Sequence, residues 1–319
     1  MNVVAPSPKP KQVRVTEFPR RPEHPAFDVH RPTDSRGPWP LVVLIHGGAW
    51  MLGGKSQVGD IARAIALRGH VVVCPSYRLS SIGTWGTNTV TAMLLGVVLL
   101  AVVWTDGDPA THGHAWLWGL VGLTFLMFWV VLAGCTQQPV VEHPRHIEDV
   151  ARVFRIAWDR AEEWGADRSR THVVGHSAGA HLASLLSTNG AYLRAEGLHR
   201  ACIRSVVALS GVYAEAVMRD HVVSRQLLRQ VFWHHPYSAF ANAHVDAATP
   251  PHLLVNANEH RLFAAHAREY IETLRRHGVY VQHLFVPEAT HLTIHRHWTG
   301  VHAHVLERVL HFWDQVTQR

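Results

Sequence analysis

Short apolar runs recur along the chain, LVVLI (41–45), HVVVC (70–74), HVV (172–174), SVVALS (205–210) and HLLVN (252–256), and VYVQHLFV (279–286) reads as a further strand. A run without alternation suits a strand covered on both faces. Ahead of them, VRVTEFP (13–19) and FDVHRP (27–32) alternate enough to predict two short strands. Between the runs, apolar positions return every three or four residues. In 144–164 they are Ile147, Val150, Ala151, Phe154, Ala157, Trp158 and Ala161, which make one face of a helix. Residues 263–277 and 301–316 also read as helices. Strands alternating with helices predict an α/β fold, a mostly parallel sheet with helices on both faces.

Residues 82–141 break this rhythm. Thr89–Trp104 and Ala115–Cys135 are long apolar stretches, and the second runs 21 residues without a charge. That length crosses a bilayer core as a helix. Trp85, Trp104, Trp116 and Trp118 stand near the ends, as in interfacial belts. The expectation is an inserted two-helix transmembrane hairpin, spanning about 87–104 and 115–135. The connecting TDGDPATHGH lacks Lys and Arg, while Arg78 and Arg145 flank the pair. This predicts both outer ends, and the α/β domain they belong to, on the cytoplasmic side. The α/β domain is then 13–81 joined to 142–319. The first dozen residues are expected to be disordered, because residues 1–40 hold nine of the 17 prolines.

Composition narrows the picture. Apolar residues are 47% of the 319, which excludes a disordered chain. The formal net charge of +6 favours anionic surfaces such as membrane lipid. No nucleic-acid-binding signature accompanies it, so no nucleic-acid partner is expected. Cys74, Cys135 and Cys202 are few and odd in number, which fits a reducing compartment. The N-terminus has no apolar core of a secretory signal. The 27 histidines include the pairs His295/His297 and His302/His304, yet no metal-ligand spacing appears, so no metal is expected. The oligomeric state has no signature.

Gly175-His176-Ser177-Ala178-Gly179 is a G-x-S-x-G motif between a strand (THVV) and a helix (AHLASLLS). Small residues at Gly175 and Gly179 permit the sharp turn that presents a serine at the sheet edge. His46-Gly47-Gly48-Ala49-Trp50 follows LVVLI directly. Acyl transfer develops an oxyanion that needs pre-aimed N–H donors, and Gly47, Gly48 and Ala178 are the candidates.

The stretches LIHGGAWMLGGK, VVVCPSYRLS, HIEDVARVFRIAWDRAEEWGADRSRTHVVGHSAGAHLASLL and PPHLLVNANEH resemble α/β-hydrolases of the carboxylesterase and lipase type. The chain is most similar to the prenylcysteine methylesterases and next to the kynurenine formamidases. The resemblance covers about 13–81 and 142–316, which makes the hairpin an insertion in a loop. It implies a serine nucleophile, Ser177, and a base in the loop after the last strand. VPEATHLTIH offers His291 there, with His295 nearby. It places the acid after HLLVN, where the expected aspartate position is His260. Histidine cannot orient a base as a carboxylate does. Glu259 is adjacent, and Glu215 or Asp220, after SVVALSGVY, are the alternatives.

These readings together predict a membrane-anchored serine hydrolase, without cofactor, acting on a carboxylic ester of a lipophilic substrate, such as a prenylcysteine methyl ester or an acyl lipid. An amide hydrolase of the formamidase kind and an impaired hydrolase fold serving as a membrane scaffold stand beside it, the latter because residue 260 is not an acid.

Overall fold

The computed structural model describes residues 12–33, 37–80, 141–219, 231–232 and 239–318. The expected disordered start (up to residue 11), the expected hairpin at 82–141 apart from Val141, and Asp220 lie outside the described residues. Among the described residues no helix is long and apolar enough to cross a membrane.

The predicted strands form one eight-stranded sheet. In chain order the elements are β1 (Val13–Phe18), β2 (Phe27–Pro32), β3 (Trp39–Ile45), α1 (Gly59–Ala66), β4 (Val71–Pro75), α2 (Arg145–Asp159), β5 (Ala166–His176), α3 (Ala178–Thr188), α4 (Ala191–Ala195), β6 (Ser205–Leu209), α5 (Glu215–Arg219), β7 (His252–Ala257), α6 (Arg261–Arg276), β8 (Val281–Val286) and α7 (Ala303–Thr317). The strand order is β1-β2-β4-β3-β5-β6-β7-β8. β2 pairs antiparallel with β1 and β4, and the remaining pairs are parallel.

The unbroken apolar runs have the expected cause. Leu41, Val43 and Ile45 of β3 pack into one core, while Val42 and Leu44 pack into another on the opposite face. In β4, Val71 and Val73 join the first core, and Val72 and Cys74 the second. The first core is closed by α2, α3 and α6 through Phe154, Leu182 and Tyr270. The second is closed by α1 and α7 through Ile61, Val309 and Phe312. Every residue of α3 is buried, so this helix needs no polar face.

This wiring positions the site. β3, β5, β7 and β8 all point the same way, so the residues after Ile45, His176, Ala257 and Val286 gather at one carboxyl edge of the sheet. The candidate oxyanion loop, Ser177, Glu259 and His291 occupy those four connections.

The two chain segments flanking the insertion are tied together within this domain. Asp149 Oδ2 accepts the Arg78 backbone N–H at 2.7 Å and its Nε–H at 2.8 Å, and Asp149 Oδ1 accepts Nη2–H at 2.7 Å.

Candidate active site

Ser177 sits between β5 and α3 with φ 53° and ψ −117°, a backbone state that costs an ordinary residue about 1–3 kcal/mol. The surroundings enforce it. Its N–H donates to the Leu209 carbonyl at 2.8 Å, and its carbonyl accepts from His181 N–H at 3.1 Å. A Cβ on Gly175 would collide with the Gly179 carbonyl, and one on Gly179 with the Ile45 carbonyl. The two motif glycines therefore let strand, turn and helix close on each other, and Ser177 stands half-buried at the edge.

The candidate oxyanion loop is aimed through its carbonyls. In a trans peptide unit the C=O and the following N–H point in opposite directions. The His46 carbonyl accepts the Tyr77 hydroxyl at 3.2 Å, which turns the Gly47 N–H the other way. The Gly47 carbonyl accepts His46 Nδ1–H at 2.7 Å, which does the same for the Gly48 N–H. The Gly48 carbonyl accepts from Met51 and Leu52 at 3.0 and 2.8 Å. Gly48, Ala49 and Trp50 all have positive φ, 113°, 50° and 62°. Among the described residues the N–H groups of Gly47, Gly48 and Ala178 donate to no protein acceptor. Burial lowers His46 to about 4, so the ring is neutral and its single N–H is committed to Gly47. Tyr77 stacks flat on that ring, centroids 4.3 Å apart.

The three candidate catalytic side chains meet. The Ser177 hydroxyl lies 3.1 Å from His291 Nε2, and His291 Nδ1–H donates to Glu259 Oε2 at 2.7 Å. The Glu259 side chain is 2% exposed. Phe263 stacks on the His291 ring at 4.2 Å. His295 does not take the base position. It stacks on His176 at 4.1 Å, and burial lowers it to about 4. His260 is the N-cap of α6, where its Nδ1 accepts the Leu262 N–H at 3.2 Å. Glu215 is paired with Arg219 one turn along α5.

A family model described as alpha/beta hydrolase fold matches residues 103–295, more than half of the chain. The chain belongs to the alpha/beta hydrolase fold family, of the carboxylesterase type. A second model, BD-FAE, matches residues 27–90. A probable isoprenylcysteine alpha-carbonyl methylesterase of Oryza sativa subsp. japonica is 23% identical over 211 residues, 65% of this chain and 36% of the relative. Esterase LipC of Mycobacterium tuberculosis is 30% identical over 194 residues, 54% of this chain and 46% of the relative. The chain thus spans between about a quarter and a half of the curated relatives it matches. Among solved structures, esterase B from Lactobacillus Rhamnosis superposes with a TM-score of 0.68 at 16% identity, covering 98% of this chain and 88% of that one; the likeness is one of fold.

Three features of this site were invisible in the sequence. Tyr77 reaches the loop from 31 residues away. Trp50 Nε1–H donates to His181 Nδ1 at 3.2 Å, and His181 Nε2–H donates to the Ala239 carbonyl at 2.6 Å, so the tails of the two glycine motifs are bolted together. His176 Nε2–H donates to the His291 carbonyl at 2.9 Å. Burial first, then His295, holds His176 well below its ordinary value, which keeps it neutral. Each is a side chain gripping a carbonyl of a non-repetitive segment, a contact with no local sequence pattern.

Proposed function

We propose that the protein is a serine hydrolase that cleaves carboxylic esters through an acyl-enzyme on Ser177. The observation that carries this is the aligned pair of hydrogen bonds, 3.1 Å from Ser177 to His291 and 2.7 Å from His291 to a buried carboxylate. Ser177 Oγ attacks the ester carbonyl as its proton passes to His291 Nε2. The oxyanion is received by the N–H groups of Gly47, Gly48 and Ala178. His291 returns the proton to the leaving alkoxide, then deprotonates the water that frees the acid. Glu259 stabilises the imidazolium in both halves. The scaffold reading rested on a missing acid, and Glu259 supplies a carboxylate in the required place.

The substrate is a lipophilic ester, such as a prenylcysteine methyl ester or an acyl lipid. Leu52, beyond the oxyanion loop, is 60% exposed, and Leu292, next to His291, is 66% exposed. Exposed large apolar side chains in the segments that carry the oxyanion candidates and the base suit an apolar acyl or alkyl group. The names of several relatives point the same way. The apolar stretches Thr89–Trp104 and Ala115–Cys135 anchor the chain in a membrane with the hydrolase on its cytoplasmic side, which brings the serine to such substrates.

A screen of purified full-length protein against methyl, short-acyl and long-acyl esters and aryl formamides tests this. The expected order favours long apolar esters, with turnover lost in Ser177→Ala. Preference for formamides would establish the amide hydrolase instead. Turnover that survives Ser177→Ala would remove the nucleophile.

A further inference from the structure

A glutamate serves here one position ahead of the expected aspartate, and its longer side chain has an extra bond to rotate about. Only one of its oxygens faces the base. Glu259 Oε2 accepts from His291, while Oε1 accepts the Asn256 Nδ2–H at 2.9 Å and the Ala257 N–H at 3.3 Å. Asn256 Oδ1 in turn accepts the Nε2–H of His283 at 3.1 Å. In the β7–β8 ladder Leu254 is opposite His283 and Asn256 is opposite Phe285, so Asn256 and His283 are diagonal neighbours on one face. The result is one hydrogen-bonded chain from His283 through Asn256, Glu259 and His291 to Ser177.

We propose that Asn256 and His283 are positioning residues for this site: His283 fixes which end of the Asn256 amide faces Glu259, and Asn256 fixes which oxygen of Glu259 faces His291. That role rests on Ser177 being the nucleophile of a serine hydrolase. An amide has a donor end and an acceptor end. Turned over, Asn256 would press its oxygen against the Glu259 carboxylate, two acceptors with no proton between them. A donor on Oδ1 forbids that orientation, and His283 is that donor. Asn256 is 4% exposed, so water does not readily take over its part. Without it, Oε1 keeps only the longer bond from Ala257, and the buried carboxylate turns to share its remaining donors. Misplacement of a catalytic group by about 1 Å costs on the order of 10²-fold in rate.

The chain is approached from behind the site. Asn256, Glu259 and His283 line a cleft of about 520 Å³ between α6 and β8, with Arg268, Arg275 and Phe285 among its walls. Burial, assisted by Arg275, lowers His283, so at neutral pH the ring has one N–H to give. Neither residue belongs to the motifs around Ser177, so substitutions there alter the acid's support and leave the oxyanion loop untouched.

The test uses full-length wild type with Asn256→Leu, His283→Ala and His283→Gln. The readouts are kcat and KM on a p-nitrophenyl ester, the rate of fluorophosphonate labelling, and the downfield NMR proton of the His291–Glu259 hydrogen bond. Asn256→Leu should lower kcat by about 10²-fold and His283→Ala by about tenfold, with KM within about twofold of wild type. His283→Gln, whose amide N–H can replace the ring donor, should recover most of the rate and the downfield signal. Wild-type kcat in both Asn256→Leu and His283→Ala overturns the proposal. So does a loss that Gln fails to recover and that follows thermal unfolding. If wild type itself neither labels nor turns over, the hydrolase reading falls. The downfield proton then still decides the positioning roles, overturning them if it is unchanged in both variants.

Discussion

Acid should unfold this protein within a narrow window, because much of its histidine content is buried uncharged. Burial lowers His46, His70, His252 and His295 to about 4, and His146, His181 and His266 to about 3. Their ordinary value, which the unfolded chain shows, is 6.5. Folded values below unfolded ones mean that the unfolded chain binds more protons below pH 6.5. Stability is therefore complete above that pH and falls as the pH drops toward the folded values. At pH 5.5 each unfolded histidine is about nine-tenths protonated while its folded counterpart is neutral. Each site then loses roughly 1 kcal/mol or a little more relative to pH 7, and the seven together on the order of 9 kcal/mol. A domain's whole stability is about 5–15 kcal/mol. His172 and His176, both held well below the ordinary value by burial, add to the effect.

The assay is urea unfolding followed by tryptophan fluorescence at pH 7.5, 6.5, 6.0 and 5.5. The expected slope near pH 5.5 approaches 8 kcal/mol per pH unit, an uptake of about six protons on unfolding. Calorimetry in buffers of different ionisation heat counts those protons independently. A loss below about 2 kcal/mol between pH 7 and 5.5 would falsify the reasoning, because it would mean that the histidines are charged in the folded state.

Glu259→Gln should lower kcat by about 10³- to 10⁴-fold with a modest change in KM, since the imidazolium loses its counter-charge. His260→Asp should leave the rate unchanged and the helix intact, as aspartate also caps; a gain in rate would show that residue 260 is the better seat for the acid. Tyr77→Phe should lower kcat by about tenfold while fluorophosphonate still labels Ser177, because the His46 carbonyl loses its grip and the Gly47 N–H its direction; an unchanged kcat would assign Tyr77 to packing alone. Replacing residues 84–140 by a short Gly/Ser link should leave a folded protein that fluorophosphonate labels, because Arg78 and Asp149 already hold the two flanks together; complete unfolding of that variant would place the apolar stretches in the hydrolase core.

What the sequence disclosed follows from where the physics is local. Strands covered on both faces read as unbroken apolar runs, and β3, β4, β6 and β7 are such runs. β5 begins at Ala166, earlier than its apolar end suggests, because Asp167 to Arg170 are polar and partly exposed. α1 was missed although its apolar residues share one face, because it is only eight residues long, opens on Gly59 and has no side-chain cap. Ser177 and the Gly47-Gly48 pair were legible because an unusual backbone demands unusual residues. The acid was less legible: Glu259 stood first, with Glu215 and Asp220 as alternatives. The choice turns on a helix boundary. His260 has φ −57° and ψ 140°, and its ring caps α6. Its side chain is thereby spent on the helix, and Glu259 is the last residue free to turn toward His291.

The acid lability and the organisation of the site have one cause. A neutral imidazole has one donor and one acceptor, fixed on opposite sides of a rigid ring. This fold uses that pair to pin backbone that no ladder holds. His46 grips the Gly47 carbonyl, His176 the His291 carbonyl and His181 the Ala239 carbonyl, while His252 grips Pro250 and has the Tyr270 hydroxyl at its other nitrogen. Three of these four fix the oxyanion loop, the base loop or the link between the glycine motifs. Protonation converts each acceptor nitrogen into a second donor, which breaks the His181 bond to Trp50 and places a charge among apolar neighbours. The groups that aim the catalytic loops are thus the groups that acid attacks. Loss of activity on acidification should therefore report the loosening of those loops and track the unfolding free energy measured over the same pH range.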